Sequence, residues 1–121
     1  VLIIHKGRQM RIEKEGLFDP AQTGMPGLHP ECAEWLHDRD VSILGSDYMN
    51  DPQPNWDCKE WPIPIHYLGI CGMGMTLLHN LDTQNVVDYC NEIRRWEFLL
   101  TIAPLKIPGA TGSPVNPLAV F

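Results

Sequence analysis

Eleven prolines and ten glycines are spread through only 121 residues. No other feature limits the possible folds of this chain so strongly. Proline fixes φ and removes a backbone donor, and glycine turns freely, so regular elements are short and irregular connections many. With 44% hydrophobic and 20% charged residues, the composition is globular rather than disordered. The length suits one domain and not two ordinary ones. A net charge of −6, with no basic run longer than Arg94-Arg95, argues against a nucleic-acid partner, because phosphate neutralisation needs clustered Lys and Arg. No apolar run approaches the roughly 18 residues of a membrane span. The opening VLIIH lacks the basic stretch and small-residue cleavage site of a secretory signal. Val1 stands where a gene product would carry Met, and the strand is already under way. A domain of this size buries only about two-thirds of its unfolded surface. The expectation is a piece of something larger, or one chain of a tight assembly.

Val1–His5 is a β-branched run closed by Gly7 and predicts a strand. Residues 6–16 are polar, mixed in charge and without a helical stripe. Residues 17–30 hold Pro20, Gly24, Pro26, Gly27 and Pro30 and predict loop. Pro30 suits the first turn of a helix, where its missing N–H would be unpaired anyway. In the helix expected there, Cys32, Ala33, Trp35 and Leu36 share a face, and Glu31 and Glu34 complement the dipole. VSILG (41–45) predicts a buried strand. Helix followed closely by strand is half of a βαβ unit, which places the chain in the α/β class.

Residues 46–64 form a long Trp- and Pro-rich loop or arm carrying Trp56 and Trp61. A loop of this length in a compact domain tends to be functional, and tryptophans on it suit an interface or the wall of a substrate pocket. HYLGICGMGM (66–75) predicts a helix with Leu68, Ile70 and Cys71 inward, and MTLLHNL (75–81) a strand. Asp82 or Thr83 then caps a helix over 84–93, whose apolar stripe is Val86, Val87, Cys90 and Ile93. WEFLLTIA (96–103) is nearly continuous in hydrophobicity, the pattern of a strand buried on both faces. The remainder is strand-like, then rich in Gly and Pro, then a short apolar tail.

Cys32, Cys58, Cys71 and Cys90 make no CxxC and no zinc-ribbon pattern. Cys32 and Cys90 read as small core hydrophobes, a disulfide is not expected, and a cytoplasmic location is the default. None of the five histidines forms HExxH, HxH or HxxxH with another. His66 and His79 lie at ends of successive elements. Such ends can converge on a site for metal ligation or acid–base work; each taken alone equally suits a backbone hydrogen bond in a small core. His37 reads as solvated, and His5 and His29 have no supporting neighbours. The turn Gly109–Pro114, containing Thr111 and Ser113, either offers backbone N–H groups to an anion or is a tight turn needing glycine. It is neither a P-loop nor GxSxG. Asp47, Asp51 and Asp57 lack the EF-hand's glycine and terminal glutamate.

Three strings, PGLHPECAEWLHDRDVSILGSDYMND (26–51), HYLGICGMGMTLLHNLD (66–82) and RRWEFLLTIAPLKIPGATGSPVNPLAVF (94–121), resemble the metal-dependent cyclase family in order and spacing. That family includes bacterial kynurenine formamidases and isatin hydrolase. The resemblance implies a swivelling β/β/α fold, of which this chain is the C-terminal portion, with a mixed sheet and two to three helices over 1–121. It implies a homo- or hetero-oligomer, and hydrolysis of an amide, cyclic amide or ester of a small molecule with a divalent ion, Mn²⁺ or Zn²⁺.

The family's metal signature, HxGTHxDxPxH, is absent here. The resemblance therefore implies that a missing N-terminal half, or a partner chain, brings most of the ligands. His66 matches the family histidine that reaches the metal region as ligand or proton carrier. His79, before Asn80-Leu81, stands where the formamidases have a glutamate, which favours a single ion. The turn with Thr111 and Ser113 matches a family turn near the active region. Two other roles on this fold fit the same strings: a non-catalytic structural or regulatory subunit, and a lyase or dehydratase.

Overall fold

The computed structural model describes residues 1–55 and 59–121. Trp56, Asp57 and Cys58 lie outside the described residues, and with Trp56 one of the two tryptophans expected on the arm. The chain divides into two compact units, Val1–Asn85 and Val86–Phe121.

The first unit is built on a parallel sheet of three strands in the order β1-β2-β3. β1 is Leu2–Ile4, β2 Ile43–Ser46 and β3 Thr76–Leu78. Leu2 pairs with Leu44, and Leu44 with Leu77. Leu44, at the centre of this row, is fully buried. It packs with Leu36, Ile65 and Met75, and Leu2, Ile4, Leu28, Val41, Met73 and Leu77 close around them. The βαβ expectation for this unit therefore holds, because parallel neighbours need crossovers long enough to hold helices.

The first crossover departs from expectation. Residues 6–16 contain a helix, α1 (Arg8–Glu15), with no buried residue. Tertiary contacts and surface pairs supply what the missing apolar stripe cannot. The Asp47 carboxylate accepts the N–H groups of Lys6 at 3.0 Å and Arg8 at 2.8 Å, taking up donors that a helix start leaves open. Gln9 bonds Glu13 at 3.1 Å and Arg11 bonds Glu15 at 2.8 Å, each one turn apart. A short helix, α2 (Pro20–Thr23), interrupts the loop expected over 17–30, with Asp19 as its cap. α3 (Cys32–His37) follows. It buries Leu36, but Trp35 stays 47% exposed and carries the Arg39 guanidinium 4.1 Å above its ring. The expected apolar face thus narrows to the side that meets the sheet.

The second crossover contains α4 (Pro64–His66), continued by a π-helical turn over Tyr67–Gly72. Leu68, Ile70 and Cys71, expected inward, are exposed, and Gly69 is buried instead. A Cβ on Gly69 would lie 2.8 Å from the Met75 methyl. The glycine side is the only one that can approach so closely, and the wide π turn rotates the larger side chains outward.

In the second unit, α5 (Gln84–Ile93) begins at the boundary and occupies the range expected from its stripe. Cys90 is buried, Val86 and Val87 half-buried, while Ile93 is exposed. β4 (Leu99–Thr101) pairs antiparallel with β5 (Leu118–Val120). Burial of β4 on both faces is not observed, since Leu99 is 67% exposed. Among the described residues this sheet has two strands. Phe121 packs edge-on against Tyr89 and lies 5.2 Å from the Phe98 ring.

Candidate active site

The first residue beyond each parallel strand is polar: His5 after β1, Asp47 after β2 and His79 after β3. The carboxyl edge of a parallel sheet is where strand ends diverge and open a crevice. Here the segment after β2 turns back into that edge and buries Ser46, Asp47, Asn50 and Asp51.

Asp51 is 0% exposed. Its Oδ1 accepts the Ile65 N–H at 2.8 Å, and its Oδ2 is bonded to His66 Nδ1. Ile65 belongs to the core cluster, so the helix that carries His66 is anchored from below by apolar packing. The His66 and His79 rings stand 4.8 Å apart, tilted by 40°. His79 Nε2 is buried and has no hydrogen-bond partner. Thus the two histidines singled out from sequence meet in space, His66 as the last residue of α4 and His79 as the first residue after β3. Asp51 joins them unannounced: sequence spacing offered it only as an ill-placed calcium ligand. Asp51 and His66 are 15 positions apart in the chain, and no periodicity can foretell a contact across that distance.

Burial lowers the pKa of His79, and its interaction with His66 lowers it further; Asp51 opposes this, while the Lys6 ammonium adds to it. Burial also lowers the pKa of Lys6, partly offset by Asp47 and Asp51. The Lys6 ammonium donates to the Met49 carbonyl. The lowered pKa favours the neutral form of His79, the form in which imidazole can bind a metal. Because its pKa is depressed in the folded state, the unfolded chain binds the proton more readily. Stability should fall as pH drops through and below the ordinary imidazole range, levelling off only beneath the lowered pKa. Urea midpoints measured between about pH 8 and about pH 5 check this. His79→Gln should flatten the slope, and an unchanged slope would count against it.

Among the described residues, no group of three or more His, Cys, Asp or Glu stands in a metal-holding arrangement. His66 and His79 supply at most two imidazoles, short of the three protein ligands usual at a catalytic zinc. The described residues do not make a metal site by themselves.

Trp61 is 54% exposed and packs edge-on against Tyr67, with ring centroids 5.2 Å apart, one residue along from His66. Thr111 and Ser113 belong to the second unit. The Ser113 hydroxyl accepts the Leu105 N–H at 2.8 Å and donates to the Pro114 carbonyl at 2.7 Å, so it ties the turn. His5 bonds Thr83 at 2.8 Å beside a polar recess that Arg8, Asp47 and Asn80 also line. Among the described residues, no helix is long and apolar enough to cross a membrane.

The parallel sheet and the antiparallel pair make a mixed α/β chain of cyclase-like fold. A solved structure described as a novel cyclase superposes with a TM-score of 0.80 at 25% identity, over 98% of this chain and 39% of that one. The chain therefore spans well under half the length of that cyclase. No protein-family model matches the sequence, and no curated protein matches it.

Proposed function

We propose that this chain is part of a metal-dependent hydrolase that opens an amide, cyclic amide or related ester, completed by an N-terminal half or a second chain. What carries this reading is the convergence of His66 and His79, 4.8 Å apart, at the carboxyl edge of a parallel sheet whose frame is shared with a solved cyclase. His66 acts as the acid–base group. Its Nε2 takes a proton from water as the water oxygen bonds to the carbonyl carbon. When the tetrahedral adduct collapses and the C–N or C–O bond breaks, that proton passes to the departing nitrogen or oxygen. A divalent ion, Mn²⁺ or Zn²⁺, would supply Lewis acidity at the carbonyl; its ligands lie mainly outside this chain, with His79 Nε2 as the donor offered from within. Trp61, braced by Tyr67, is a wall for an aromatic substrate.

The test is to purify the native assembly, weigh it, measure its metal, and assay an aryl formamide and isatin with Mn²⁺ or Zn²⁺ present. The expected result is a divalent ion in a complex larger than this chain, with formation of the carboxylate product. Absence of both metal and hydrolysis would refute the proposal.

A further inference from the structure

We propose that Asp51 is the positioning residue of this site, holding His66 in the Nδ1–H tautomer so that Nε2 is left to accept. The inference rests on the acid–base role given to His66, and adds to it the group that makes the role possible. A carboxylate only accepts hydrogen bonds, so the proton between Asp51 Oδ2 and His66 Nδ1 belongs to the imidazole. Ring geometry then puts Nε2 on the edge opposite Asp51. The Asp51 side chain is 0% exposed while that of His66 is 18% exposed, so the carboxylate is the more deeply buried partner of the pair.

The same carboxylate accepts the Ile65 N–H at 2.8 Å. One side chain thus fixes both the start of α4 and the rotation of the imidazole it carries. Gly27 explains how Asp51 can be held so deep: its missing side chain lets residues 51 and 52 pass directly over it. The neighbouring strands of chain are tied by Leu28 N–H to Asn50 O at 2.9 Å, and by paired Met25–Gln53 bonds at 2.9 Å. The long loop is therefore anchored at the point that supports the histidine.

Asp51→Asn separates positioning from mere structure. The amide oxygen can still accept from Ile65. Its NH₂, however, presents a donor to His66 Nδ1, which forces the proton to Nε2 and removes the acceptor. In the ¹⁵N-labelled chain at pH 8, two-bond ¹H–¹⁵N spectra should show His66 as the Nδ1–H tautomer in the wild type. They should show the Nε2–H tautomer in Asp51→Asn, with little change in thermal midpoint. Turnover of the assembled enzyme should fall by about 10²–10⁴-fold, with KM little moved. The wild-type spectrum needs neither substrate nor variant, so it tests Asp51 even if the assembly proves to be no hydrolase. A wild-type His66 protonated on Nε2 would overturn the proposal, as would an Asp51→Asn chain that keeps the Nδ1–H signature.

Discussion

Turnover of the assembled enzyme on an aryl formamide should fall by about 10²–10⁴-fold when His66 is replaced by alanine, the range usual for loss of a general acid–base. The fold should survive. His66 is half-buried on a three-residue helix, and the apolar anchor of that helix is its neighbour Ile65. The substitution removes the Asp51–His66 bond but leaves Asp51 its bond to the Ile65 N–H. Far-UV circular dichroism and the thermal midpoint report the fold, while initial rates report the chemistry. Equal rates for variant and wild type would take His66 out of the reaction altogether. A loss confined to KM would assign it to binding, because a group acting only in the transition state lowers kcat.

Gly27→Ala should be the most damaging single methyl group in the chain. The added Cβ would sit 2.1 Å from both the Asp51 carbonyl carbon and the Pro52 nitrogen, and 2.6 Å from the Asp51 oxygen. Those are backbone atoms, and they cannot rotate away as a side-chain tip can. Hydrogen bonds from Met25 and Leu28 to Gln53 and Asn50 hold the two segments together on either side. The expected cost is about 3 kcal/mol, the upper range for overpacking, read from the urea midpoint. The displaced segment carries Asp51, so activity should fall with stability. Gly72→Ala is the control, because nothing lies within 4 Å of its would-be Cβ, and its midpoint should barely move. Matching midpoints for the two variants would show that residues 51 and 52 are not held against Gly27.

The legible parts of the fold are those where local pattern and tertiary need agree. α5 was readable because capping residues precede an apolar stripe at helical spacing. β2 and β3 were readable because short apolar runs end at turn residues. α1 was not, because its support comes from Asp47, some forty residues away, and from charged pairs on a solvated face. The π-helical turn departs from the sequence pattern for a related reason: glycines ordinarily weaken a helix, but Gly69 serves a close approach to Met75 that exists only in the folded chain. Leu99 shows the opposite error, since hydrophobicity states what a strand would gain from cover and not whether a covering layer is present.

Short elements between many breakers, an α/β alternation and two histidines placed at ends of elements are all written in the order of residues along the chain. These follow from the chain's own torsional limits and apolar spacing, which act within a few residues. Folding alone brings those histidines to 4.8 Å from each other, sets the Asp51 carboxylate against His66, and uses Gly27 to make room for it. Each of these is a contact across many residues, set by how the parallel strands align and how the long loop closes on the core. No local preference encodes that closure.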